Sequence, residues 1–133
     1  MPSETYIIFK KTEDLPNDIS FELSKGPYYY SFYIETDLWE MQEFLSQCKI
    51  NTDISDIFNS DINHLLALAE ELGLKEYIIE YEHDFAGQPD ENGFIIPILN
   101  GKIMNKYIVD EENKSFLTNK KAYKLIGIDF PFG

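Results

Sequence analysis

The sequence contains no arginine among its 133 residues. Recognition of phosphates and base edges leans on the bidentate guanidinium fork, and affinity for nucleic acid leans on positive charge. With 24 acids against 11 lysines, the formal net charge is −13. Direct binding of DNA or RNA is therefore not expected. Lysine, asparagine and isoleucine are abundant, so codon usage in an AT-rich gene accounts for the missing arginine. Cysteine is nearly absent too: Cys48 stands alone and cannot close an internal disulfide, which suits a reducing compartment or an unstapled secreted fold. Long apolar runs are also lacking. The N-terminus has no basic segment, its longest apolar run is Tyr6 to Phe9, and nothing approaches the roughly 18 apolar residues of a membrane span. A cytoplasmic location with no membrane partner is the expectation.

Catalytic motifs are missing as well. There is no G-x-S-x-G elbow, no phosphate loop, no dinucleotide fingerprint, no HExxH and no calcium-loop pattern. Cys48 falls on the apolar stripe of a helix and reads as a small core residue. His64, near Leu68 and Glu71, reads as a partly exposed helix residue. His83 closes the run Glu80-Tyr81-Glu82-His83-Asp84, which sets three acids and an imidazole at a strand end. A divalent ion could be imagined there, but no second histidine stands at ligand spacing. In so acidic a chain, a pair of carboxylates says little about glycosidase-type chemistry. A non-enzymatic protein without metal or cofactor is expected.

What the chain does have is enough apolar material for a core, with 44% hydrophobic and 15% aromatic residues. Thr5 to Lys10 and Tyr28 to Glu35 read as strands. The second would show Tyr28, Tyr30, Phe32 and Ile34 on one face and Tyr29, Ser31, Tyr33 and Glu35 on the other. A short strand at Ile19 to Leu23 fits between them. Asp37 can cap a helix carrying Leu38, Met41, Leu45 and Cys48 on one stripe, with Glu40 completing a capping-box-like pair. A helical turn near Ile54 to Phe58 follows. Ser60 can cap a second helix from Asp61 to Leu72, with Ile62, Leu65, Leu66, Ala69 and Leu72 inward and Gly73 as its stop. Beyond it Tyr77, Ile79 and Tyr81 alternate with Ile78, Glu80 and Glu82 as a half-buried strand. Asn100-Gly101 marks a hairpin between Phe94 to Leu99 and Lys102 to Val109. Pro97 suggests an edge strand or a bulge. Glu111 to Lys114 reads as a turn, and Ser115 to Thr118 and Tyr123 to Ile128 as strands, with a helix over Asn119 to Leu125 as the alternative. Strands, two helices, then strands predict a single α+β domain over residues 1–133, one mostly antiparallel sheet packed against two or three helices.

The acids are not spread evenly. Residues 35 to 91 hold 15 of the 24 carboxylates and two of the 11 lysines, a charge of −13 that equals the whole chain's. Left unpartnered, such a patch repels itself, so a basic partner is indicated. Aromatics off the core stripes accompany it: Tyr29 and Tyr33 on the second strand face, and Trp39 about 100° around the helix from Leu38. Such residues anchor interfaces, although they could equally pack a second layer. The candidate partner-binding set is Tyr29, Tyr33, Glu35, Trp39, Glu40, Glu43, Glu80, Glu82 and Asp84. In size, charge and lack of catalytic apparatus the chain resembles the small acidic immunity proteins that neutralise nuclease toxins in bacterial competition. That resemblance implies inhibition by covering a basic toxin surface, with no cofactor. Two alternatives remain: a nucleic-acid-mimicking inhibitor of a DNA-binding protein, and a small ligand-binding or enzymatic domain with its site near His83.

Overall fold

A computed structural model describes residues 3–11, 15, 23–25, 29–50, 52–57, 60–83 and 93–129. Among these residues six strands form one sheet in which every pairing is antiparallel. In chain order they are β1 (Ser3–Lys10), β2 (Ser24–Lys25), β3 (Tyr29–Glu35), β4 (Glu76–His83), β5 (Phe94–Leu99) and β6 (Lys102–Ile103). Across the sheet the order is β2-β3-β1-β4-β5-β6, so the N-terminal strand lies near the middle. Among the described residues three α-helices accompany it: α1 (Leu38–Cys48), α2 (Ser60–Glu71) and α3 (Phe116–Lys124). The α+β architecture follows the period change in the sequence. No helix among the described residues is long and apolar enough to cross a membrane.

The two sheet faces are covered differently. On one, α1 and α2 bring Met41, Phe44, Leu45, Cys48, Ile62, Leu65 and Ala69 against Ile7, Phe9, Phe32, Ile79, Tyr81 and Ile96. On the other, α3 and the chain after it bring Ala122, Tyr123, Ile126 and Ile128 against Ile8, Ile78 and Ile95. Ile78 is therefore buried, and β4 is not the half-exposed strand that its alternation suggests.

Local chemistry explains most element ends. Asp37 caps α1, its Oδ1 accepting the Glu40 N–H at 2.6 Å. α2 begins at Ser60 rather than after it, so the residue that caps it lies outside the described residues. It ends in a Schellman motif: Leu74 N–H donates to the Ala69 carbonyl, Gly73 N–H to the Glu70 carbonyl, and Gly73 takes φ +71°. Asn100 and Gly101 both have positive φ, as a type I′ hairpin requires. Pro97 lies in the strand next to the edge, not at the edge. Ile95 N–H, two residues before it, points outward to the Val109 carbonyl. Pro97 nitrogen shares that side, so the proline costs no hydrogen bond to β4.

The C-terminal third departs from the sequence reading. Only Lys102–Ile103 pairs with β5, and a 3₁₀ turn at Asn105–Tyr107 follows before Val109 bridges back to Ile95. Ser115 to Thr118 is not a strand. Ser115 caps α3 in a reciprocal box with Thr118, its side chain accepting the Thr118 N–H while Thr118 Oγ1 accepts the Ser115 N–H. Tyr123 to Ile128 is likewise no strand, and holds the helix end and the turn after it. The helix entertained over Asn119 to Leu125 is the one that forms, about a turn longer at its start. The short strand is Ser24–Lys25, and residues 19–22 lie outside the described residues.

Candidate functional site

The sheet face that carries α3 is not fully covered, and its open end is acidic. Register across the three central strands sets Glu35, Glu4 and Glu82 side by side, with Glu4 opposite both others. Two residues along lie Tyr33, Tyr6 and Glu80, and then Ser31, Ile8 and Ile78. Directly paired residues in antiparallel strands share a face, with strands about 4.8 Å apart, so the first row places three carboxylates on neighbouring strands. Like charges set opposite each other are each unfavourable by about 0.2–1 kcal/mol. Such an arrangement weakens the sheet.

The second row is aromatic. Tyr6 and Tyr33 rings are 5.3 Å apart and tilted by 43°. Tyr6 hydroxyl donates to Glu4 Oε2. Burial, reinforced by that bond and by the Glu4 charge, pushes the Tyr6 phenol well above its ordinary range, so it stays a neutral donor. Tyr33 is 51% exposed. On the β4 side, Tyr123 of α3 donates its hydroxyl to Glu80 Oε2, and burial followed by the Glu80 charge likewise holds its phenol neutral.

At this end of the sheet the chain turns into α1. Thr5 and Thr36 hydroxyls meet at 2.6 Å in the interior and pin the corner to β1. Asp37 and Trp39 stand two and four residues after Glu35, and Trp39 is 76% exposed. Glu43 lies exposed one turn further along α1. Acids and tyrosines thus stand together at this end of the sheet face, with Trp39 on the helix that follows it.

The residues singled out from the sequence do not all share this site. Glu35, Glu82 and Tyr33 lie on it, whereas Trp39 and Glu43 are exposed on α1, which covers the opposite sheet face. Tyr29 is half-buried against the second core, and Glu80 holds Tyr123. Glu40 differs most. It was expected to reach back and complete the box at Asp37, yet it turns inward, and its Oε1 accepts the Asp61 N–H at the start of α2 at 3.0 Å. At 8% exposure it belongs to the α1–α2 contact and not to a charged rim. The reason is competition: α2 presents unpaired first-turn N–H groups, and a buried donor is satisfied more profitably than an exposed one. Asp84 and the His83 side chain lie outside the described residues.

Sequence reasoning missed Glu4 and Tyr6, because Glu4 sits outside the acidic stretch. The signal was present in the alternation Glu4, Tyr6, Ile8, but only the strand pairing places these residues beside Glu82 and Tyr33. Of the other candidates, Cys48 is fully buried, and burial pushes its thiol up to about 12, which leaves no thiolate for chemistry. His64 is exposed on α2. Among the described residues no three histidine, cysteine or acidic side chains group closely enough to hold a metal ion. Beside the acidic face, Glu80, Glu82, Phe94, Lys114, Phe116 and Asn119 line a cleft of about 320 Å³. No model of a known protein family, no curated protein and no solved structure matches this chain.

Proposed function

We propose that this protein binds a basic protein partner through the acidic end of its sheet, acting as an immunity-type inhibitor of a nuclease toxin. The observation that carries this is the in-register row Glu35–Glu4–Glu82, with exposed Tyr33 in the next row and exposed Trp39 on the helix that follows Glu35. A nuclease surface is basic because it binds phosphates. Carboxylates held on a rigid sheet can occupy that surface in place of the nucleic acid, and aromatic anchors supply desolvated contact at its edge. The mutual repulsion in the row is relieved when lysines or arginines of the partner dock against it. No step of this inhibition needs a bond to break.

The test is binding to the product of the neighbouring reading frame. A Glu35→Lys/Glu82→Lys variant, shown by circular dichroism to be folded, should associate at least about tenfold more slowly at low salt. It should also lose most of the salt dependence of the association rate and fail to protect cells. Trp39→Ala should weaken the complex by about 2 kcal/mol or more, mainly through faster dissociation. Unchanged rates and intact protection in the double variant would sink the assignment of this face.

The cleft beside Phe116 favours a second reading, a domain that binds a small organic cation. Its polar lining includes Glu80, Glu82 and the buried Oδ1 of Asn119, which has no hydrogen-bond partner. Shift changes at Phe116 and Asn119 on adding an alkylammonium, without any basic protein partner, would favour this reading over the inhibitor.

A further inference from the structure

Glu40 places a titratable group where an ionised carboxyl is poorly served. Its Oε1 accepts the Asp61 N–H, while Oε2 is buried without a hydrogen-bond partner. The charges that act on it, Asp61 in the first turn of α2 and Asp37 at the cap of α1, are both negative. A buried anion with one oxygen unsatisfied and two acids for neighbours costs free energy that the neutral acid avoids. When protonated, the carboxyl becomes a donor, and Asp61 is the acceptor within its reach. The first turns of both helices meet here, since Asp37 accepts the Glu40 N–H and Glu40 accepts the Asp61 N–H. One proton therefore decides whether this corner is hydrogen-bonded throughout or holds three negative charges.

We propose that the α1–α2 corner is a proton-operated latch: protonated Glu40 holds the first turns of α1 and α2 together, and loss of the proton loosens them and with them the first turn of α1 that carries exposed Trp39. Burial first, and then hydrogen bonding with Asp61, pushes the Glu40 carboxyl up to about 7 from 4.5, which puts the latch in the neutral range. Between those values the folded state keeps a proton that the unfolded state has lost. The latch thus weakens as pH rises through that window. Its effect on the partner rests on the inhibitor reading, whereas the latch itself does not.

The Asp61 amide reports the latch directly, because its N–H donates to Glu40. In the wild type its chemical shift should inflect near pH 7, and exchange protection of the first α2 amides should fall about tenfold or more between about pH 5.5 and 8. Glu40→Gln keeps the acceptor and the shape but has no proton to lose, and it should abolish both changes while remaining folded. Asp61→Asn removes a like charge and should move the inflection downward. His64 is exposed on α2 one turn beyond Asp61, so His64→Gln serves as the control and should leave the inflection in place. An inflection near 4.5 in the wild type, its survival in Glu40→Gln or its loss in His64→Gln would overturn the latch. If the latch titrates but partner affinity is the same at both pH values, the link to Trp39 is wrong. If no basic partner binds at all, the inhibitor reading falls and the latch stands.

Discussion

At the scale of single residues, the balance between hydration and partnering decides which carboxylates can serve a surface. Glu35 is exposed and keeps its water, so it remains available to a basic partner. Glu40 cannot take that role, because it accepts an N–H at the start of α2 and gives up hydration to do so. Its raised pKa has a thermodynamic consequence with a definite sign. Below about 4.5 the group is protonated both folded and unfolded; above about 7 the folded state must hold an unfavourable anion. Glu40→Gln is therefore expected to match the wild type near pH 4.5 and to exceed its stability at pH 8 by on the order of 1–3 kcal/mol, read from urea midpoints. Glu40→Ala should gain less, since it leaves the Asp61 N–H without its acceptor. Asp110 shows the opposite balance. Burial alone would raise its carboxyl, but the Lys49 ion pair at 2.6 Å and the N–H groups of Asn113 and Glu112 outweigh it and hold the carboxyl below its usual range.

At the scale of elements, α3 is the instructive case. Its sequence, Phe-Leu-Thr-Asn-Lys-Lys-Ala-Tyr-Lys, carries no strong apolar stripe, and a threonine takes the place of the glutamate that usually signals a capping box. Its helical state follows from what it covers: Ala122, Tyr123 and Ile126 close over Ile8, Ile78 and Ile95. As strands, the same residues would have left that face open. Because α3 has little apolar patterning of its own, its cap carries weight. Ser115→Ala should cost about 1 kcal/mol and shift the thermal midpoint down by a few degrees, measurable by calorimetry. Asp37, Gly73 and Asn100-Gly101 act where the sequence places them, because capping and positive φ are local demands met by single residue types.

For the molecule as a whole, the dominant feature is its excess of negative charge. Glu35, Glu4 and Glu82 line one end of the sheet, while Lys120, Lys121 and Lys124 sit on α3. With a net charge of −13, self-repulsion opposes the compact state, and salt screens it over about 8 Å at physiological ionic strength. The free protein should therefore become more stable when sodium chloride is raised from about 0.02 to 0.3 M, whereas its association with a basic partner should slow over the same range. A thermal midpoint that falls with salt would show that attractive pairs, and not the acidic row, dominate its electrostatics.

The sequence by itself determined the α+β class, the two core helices and their stripes, the hairpin turn, the faces of β3 and the excess of acid. All of these depend on periodicity or on local backbone demands, which a single segment expresses without its neighbours. The sequence could not set Glu4 and Tyr6 beside Glu82 and Tyr33, because they belong to segments about 30 to 80 residues apart and meet only through strand register. Nor could it decide the state of α3 or the direction of Glu40. Those were settled by tertiary structure: a sheet face that had to be covered, and a helix start whose N–H groups needed an acceptor.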